Sequence, residues 1–230
     1  GTGQTKVTDN PADDASPSWS PDSENIVFYS DRDGNYEVYV MDSTGLNHRK
    51  LLIWAFLGSD CMFFGSLIAT YLVYRGKSRV GPFPEDVFSI PVTSVSTFVL
   101  LMSSMSMVLA YAALTRGRLK GFRIWILSTV ILGMTFLAFQ VFEFRDFVQH
   151  GLTLRTNLFG TTFFTLTGFH GIHVSVGIVM LMSLFISSLR GSLRQEHSET
   201  VEIVGLYWHF VDIVWIFIFT VIYLVPSPTS

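Results

Sequence analysis

The chain has 230 residues, 49% of them hydrophobic and 15% aromatic, with a mean hydropathy of +0.43. That is too apolar for a soluble domain of this size, and the charge is uneven: residues 1–50 carry nine acids against four Lys or Arg, and residues 51–230 carry nine against eleven. The single cysteine, Cys61, excludes an intrachain disulfide and the Cys pair of a dinuclear copper centre. The first residue is Gly rather than Met, as expected of a fragment or a processed chain, and no signal-peptide pattern is read at the start.

The first elements are β. Residues 26–29 read as a short strand, residues 31–34 as a tight turn and residues 36–40 as an alternating, half-buried strand. The stretch Pro17-Ser18-Trp19-Ser20-Pro21-Asp22, followed by residues 30–41, resembles one blade repeat of TolB-type β-propellers over about residues 5–46. There is one copy, whereas a propeller typically has about 4–8 blades. Residues 1–48 are therefore expected to pack poorly or to lean on something else, as a fusion remnant or an appendage.

Five long apolar runs follow, at 51–74, 92–114, 123–147, 157–188 and 203–225. Each reaches the roughly 20 residues needed to cross a bilayer core. Spanning segments must satisfy their own backbone, which makes helices the natural reading. The predicted fold is all-α and transmembrane: a five-helix bundle over residues 49–230, preceded by the β-hairpin or blade-like segment. The long fourth run is expected to tilt or to project beyond the bilayer.

With five spans, Arg49, Lys50, Arg116, Arg118, Lys120, Arg123, Arg190 and Arg194 share one side. Arg75, Lys77, Arg79, Arg145 and Arg155 share the other. This excess places the N-flank of the first helix in the cytoplasm and the C-terminus outside. TolB-like propellers are usually periplasmic, which favours an adventitious origin for the first segment.

The ionisable groups of the spans are few: Asp60 in the first, Glu143 late in the third, His170 and His173 in the fourth, His209 and Asp212 in the fifth. Such groups usually face the bundle interior, as part of a pathway or simply as interhelical hydrogen-bond glue. His170 and His173 are three apart and share a face. Gly168 and Gly171 interleave with them and are expected to let a neighbouring helix approach an imidazole. Asp212 is placed to orient or charge His209 within one helix. Trp208 and Trp215, seven apart, read as a packing stripe. Counting from the cytoplasmic helix ends at 1.5 Å per residue, His209 sits about 9 Å deep and His173 about 21 Å deep, which argues against a shared haem. No metal-ligand spacing is present: there is no His-x-x-x-His pair and no Glu within a turn of the histidines.

Longer strings carry a family resemblance. Residues 165–174 (TLTGFHGIHV) and 206–217 (LYWHFVDIVWIF) resemble signatures of haem-copper oxidase subunit III. Supporting strings are Ser59-Asp60-Cys61-Met62-Phe63-Phe64, Leu100-Leu101-Met102-Ser103-Ser104 and Gln140-Val141-Phe142-Glu143-Phe144, one per helix and in the family's order over about residues 50–226.

The resemblance implies a subunit of the bacterial inner membrane that packs on subunit I, alongside subunit II. It implies phospholipid binding, protection against turnover inactivation and support of proton entry. It also implies no cofactor in this chain, with haems and copper in the partner subunits, and no nucleic-acid partner. Three intramembrane histidines are too few for subunit I. The chain lacks the first two helices of the seven-helix members, which puts the lipid cleft formed with them in doubt. Asp60 stands where mitochondrial-type members have a Glu, and its Ser-Asp-Cys string is similar to the quinol-oxidase branch. Its carboxylate is one methylene shorter and reaches less far.

The resulting expectation is a non-redox, stabilising subunit of an aerobic respiratory oxidase whose complex reduces oxygen and pumps protons. In it Asp60, Glu143, His170, His173, His209 and Asp212 serve as interior polar contacts to protons, lipid or other subunits. The sibling reading is a nitric-oxide-reductase accessory protein. Readings from other classes are a haem-binding membrane anchor, a small transporter or proton channel, and a binding module built on the blade. The spans show no internal repeat of the transporter kind.

Overall fold

The computed structural model describes residues 8, 11–21, 25–42, 48–78, 81–83, 88–193 and 197–225. Arg79 and Arg194 of the charge count, and residues 5–7, 9–10, 22–24 and 43–46 of the blade-like stretch, lie outside them. The chain divides into two compact units, Gly1–Ala55 and Phe56–Ser230.

The first unit holds three antiparallel strands in the order β1 (Asp14–Trp19), β2 (Asn25–Ser30) and β3 (Glu37–Asp42). The predicted hairpin is β2–β3, paired without interruption from Asn25↔Asp42 to Ser30↔Glu37. Gly34 takes the left-handed conformation its turn needs (φ +95°). The expectation of two strands missed β1. Its sequence, DASPSW, lacks alternation and contains Pro17, which a strand tolerates at an edge or a bulge. Both conditions hold, because β1 is the edge strand and its register slips between Ala15 and Ser18.

Phe28 packs on Tyr39 at 6.1 Å, and the Arg32 guanidinium sits 4.2 Å from the Tyr39 ring centroid. Arg32 also pairs with Asp14 at 3.2 Å. Trp19, Val38 and Val40 stay exposed. The expected propeller blade is not supported: the described residues form only this small three-stranded sheet, whereas a blade usually has four strands. Among the described residues no second sheet packs against it.

Five helices follow: α1 (His48–Tyr74), α2 (Ile90–Thr115), α3 (Leu119–Gln149), α4 (Leu158–Leu189) and α5 (Ser198–Phe219). The last continues as one wide π turn over Thr220–Leu224. All five are long and apolar enough to span a bilayer. The predicted runs match them to within a few residues, except that α5 begins five residues earlier than the run at 203. Its first turn carries Glu199, an acid suited to a helix N-terminus but invisible to a search for apolar residues.

Punctuation between the helices is local. Pro91 opens α2, and the Asn157 side chain caps α4 by accepting from the Gly160 N–H at 2.7 Å. Four helices end on a basic residue followed by a left-handed glycine: Arg75-Gly76, Arg116-Gly117, His150-Gly151 and Arg190-Gly191. At Gly117 the reversed backbone lets its N–H and that of Arg118 reach the carbonyls of Leu114 and Ala113, closing the last turn of α2.

Helices α2, α3, α4 and α5 form a ring of neighbours: α2 with α3, α3 with α4, α4 with α5, and α5 with α2. Phe136, Phe163, Leu166, Trp208 and Trp215 fill its centre. Glycines permit the closest approach. A Cβ on Gly133 or on Gly177 would stand 2.7 Å from the Trp208 indole, so this ring fills the space that α3 and α4 leave without side chains. From Phe56 onward α1 touches the ring of helices through aromatic side chains: Phe56 on Tyr207, Phe63 on Phe169 and Phe64 on His173.

Candidate functional site: polar groups inside the bundle

The six ionisable residues singled out in the spans do not meet in one site. They form four local arrangements, each built at a different helix contact.

Asp60 and His173 meet between α1 and α4, with His173 Nε2 3.4 Å from Asp60 Oδ2. Their side chains are 13% and 19% exposed. His173 Nδ1 lies 2.8 Å from the Phe169 carbonyl, which can only accept, so the Nδ1–H donates there. Nε2 is then left facing the carboxyl, whose Oδ2 is buried without a hydrogen-bond partner. Phe64 stacks edge-on against the imidazole at 4.9 Å, and the Tyr207 hydroxyl donates to the His173 carbonyl at 3.0 Å.

His170 is fully buried and points toward α5 rather than α1. Its Nε2–H donates to the Val211 carbonyl at 3.1 Å, and the ring lies 4.8 Å from that of Trp215. The two histidines expected to share a face therefore serve different neighbours. Gly171 admits the amide of Gln140, not an imidazole; that amide donates to the Thr167 carbonyl at 2.8 Å. Gly168 has open space beside it. His170 Nδ1 and Gln140 Oε1 are buried without a hydrogen-bond partner.

A seam of hydroxyl groups joins α2 to α5. Trp208 Nε1–H donates to Ser103 Oγ and Trp215 Nε1–H to Thr97 Oγ1, each at 3.0 Å. Moving up α5 moves the partner down α2, as antiparallel helices require. His209 does not bond Asp212 directly. Its Nδ1 is 3.0 Å from Ser104 Oγ, and the same hydroxyl stands against the Asp212 carboxyl. Ser104 thus does the bridging that the i,i+3 spacing assigned to the helix itself. Nearer the start of α5, Tyr111 donates to Glu202 Oε2 at 3.4 Å. Between these pairs is a half-open, mostly apolar groove of about 120 Å³, lined by Met107, Val108, Tyr111, Glu202, Leu206 and His209, among others.

Glu143 is buried at the far end, where Thr93 donates to its Oε1. The Tyr223 hydroxyl joins the same group, brought there by the π turn.

Sequence reading passed over Thr93 and Thr97, and had Ser103, Ser104, Gln140 and Tyr207 only as members of family strings, not as polar partners. The signal was present in α2, whose Ser and Thr residues at 93, 94, 96, 97, 103, 104, 106 and 115 are dense for a spanning helix. The depth estimate for the histidines also changes. Tyr207 is level with His173 and Val211 with His170, so His209 lies at a comparable depth, not about 12 Å away. The rings differ in direction instead: His173 faces α1, His170 faces α5 and His209 faces α2.

Comparison with known proteins adds an independent finding. The family model for cytochrome c oxidase subunit III matches residues 24–227. The chain is 38% identical to cytochrome c oxidase subunit 3 of Bacillus sp. (strain PS3) over 177 residues, 77% of this chain and 86% of that protein. It is 39% identical to quinol oxidase subunit 3 of Bacillus subtilis (strain 168) over 171 residues, 74% of this chain and 84% of that one. A probable quinol oxidase subunit 3 of Staphylococcus saprophyticus is 38% identical over 180 residues, 78% and 90% of the two chains.

Proposed function

Because this chain belongs to the cytochrome c oxidase subunit III family, we propose that it is the non-redox, stabilising subunit III of a haem-copper terminal oxidase, packed on subunit I and binding phospholipid. The observation that carries this reading is the family match running through all five spanning helices. The polar interior supports it: every intramembrane histidine is turned to a neighbouring helix of its own chain, His170 and His209 by hydrogen bonds to Val211 and Ser104, and His173 by facing Asp60. That is the arrangement of side chains holding helices together. In this reading the chain carries no haem or copper, and those belong to its partners.

The orientation in this proposal has the start of α1 in the cytoplasm and the end of α5 outside, on the excess of Lys and Arg. Residues 1–48 are an appendage to the bundle of residues 49–230. The electron donor, cytochrome c or quinol, is a property of the partner subunits.

Capture of the tagged chain from its native membrane in mild detergent tests the reading. Mass spectrometry and a reduced-minus-oxidised visible spectrum are the readouts. Recovery of a multi-histidine subunit I together with haem absorbance is expected. Haem absorbance with no partner would assign the histidines to haem and overturn the proposal, as would recovery of neither.

A further inference from the structure

Outward hydroxyl groups of α3 and α4 find acceptors in their own helices. Ser128 and Thr135 donate to the carbonyls of Ile124 and Ile131, and Thr165 and Ser175 to those of Thr161 and Gly171. His209 differs. It lies near the middle of the 27-residue span Ser198–Leu224 and is partly exposed. Its Nδ1 is held by Ser104, while Nε2 makes no hydrogen bond among the described residues. In either tautomer Nε2 is left over, as a donor N–H or as an acceptor lone pair. A polar group left bare against hydrocarbon is costly.

The same imidazole edges the half-open apolar groove of about 120 Å³. Its floor lies where α5 has no side chain: a Cβ on Gly205 would stand 3.1 Å from Met107 Cε. Val108 and Leu206 flank it, and Tyr111 and Glu202, bonded at 3.4 Å, close the end toward the start of α5. Exposed Met105 and Ile213 extend the apolar face along the two helices. An apolar centre with polar groups at its rim is the anatomy of a protein interface. A glycine floor beside an adaptable methionine suits a side chain inserted from a neighbouring helix. An engineered apolar cavity of roughly 150 Å³ holds benzene, so this groove is sized for one branched or aromatic side chain.

Three occupants can reach such a groove in a bilayer. An acyl chain fills the apolar part but leaves Nε2 bare. A second copy of this chain, related by a two-fold axis, sets one concave face against another and supplies no side chain to fill either. A spanning helix of a different chain meets both needs, with a bulky apolar side chain for the groove and a polar group about one turn along it for the imidazole.

We propose that the outer face of the α2–α5 seam is the docking surface for a spanning helix of subunit I, which inserts one bulky apolar side chain over Gly205 and Met107 and hydrogen-bonds His209 Nε2. This rests on the reading of the chain as subunit III given above and names the face that the partner covers. Ser104 then has a second role: by holding Nδ1 it aims the other ring nitrogen outward at the partner.

The test is made on the whole complex. A photoreactive diazirine side chain replaces Ile213 on this face or, as the control, Ile131 on α3, two residues of similar exposure. Illumination in the native membrane, followed by mass spectrometry, is expected to join position 213 to a spanning helix of subunit I and to give no such adduct from position 131. Separately, Val108→Trp fills the groove from its exposed wall, and Ile131→Trp adds comparable bulk on α3. Capture in mild detergent is expected to bring down about tenfold less subunit I with Val108→Trp and an unchanged amount with Ile131→Trp. Should Val108→Trp not fold, the adduct at position 213 decides alone. The proposal is overturned if position 213 joins only lipid or a second copy of this chain, if positions 213 and 131 give the same adducts, or if the two tryptophan variants retain subunit I equally. A native chain that brings down no subunit I overturns the oxidase reading itself, and this proposal with it.

Discussion

The Trp208 indole covers Gly177 so closely that a Cβ on the glycine would stand 2.7 Å from the ring. The largest side chain of α5 and the smallest residue type on α4 are fitted to one another, and Gly133 of α3 completes the slot at the same distance. Substituting Gly177→Ala forces the buried indole out of place, an overpacking cost of about 1–3 kcal/mol. Reversible unfolding of the purified chain in mixed micelles measures it. A change below about 0.5 kcal/mol, the size of an ordinary surface substitution, would mean that the ring has room to move.

Trp215 and Thr97 form the second indole–hydroxyl link of the seam. A double-mutant cycle with Trp215→Phe and Thr97→Val isolates it. The expected coupling is about 0.6 kcal/mol, the average for hydrogen bonds between membrane helices. A coupling indistinguishable from zero would reduce this contact to packing alone.

Asp60 and His173 couple α1 to α4. Asp60→Leu leaves His173 Nε2 facing an aliphatic chain without a partner, costing about 1–3 kcal/mol. Adding His173→Phe removes the orphaned nitrogen while keeping a ring against Phe64, and most of the loss should return. The same unfolding measurement on single and double variants reads this. Additive losses would show that the two side chains act independently.

The N-terminal sheet carries its own pH signature. The Ser30 hydroxyl, helped by Arg32, holds the Asp14 carboxyl down from its ordinary 3.8 to about 2. A depressed carboxylate stabilises the folded sheet above pH 3.8, and that contribution disappears as pH falls through about 2. Tyr39 has the opposite sign. Its hydroxyl donates to Asp33, which pushes it up from 10.0 to about 12, so its contribution is present below pH 10 and is lost on rising through about 12. Carboxyl and phenol ¹³C shifts across pH report both groups. Asp33→Asn should bring Tyr39 back toward 10, and no movement would dissociate the pair.

Spanning helices are legible in sequence because a bilayer imposes a crude requirement, about 20 apolar residues with their backbone satisfied internally. That requirement set all five spans, and the residue strings in them carried the family. The edge strand β1 was not legible, because Pro17 and its serines break the alternation that marks a strand, and only pairing with β2 holds them extended. Nor was the start of α5, whose first turn is polar.

Sequence also located the polar residues that matter in the membrane but not their partners. Positions three apart share a helix face, yet that rule sent His170 and His173 toward a common neighbour. The structure turns one to α5 and the other to α1, because each ring is aimed by the acceptor it finds: the Val211 carbonyl for His170, the Phe169 carbonyl and Asp60 for His173. Asp212 and His209 are joined through Ser104, about 105 residues away along the chain. Helix register across the α2–α5 seam made that link. It depends on which glycine faces which indole and on a π turn at the end of α5, and only close packing in three dimensions decides either.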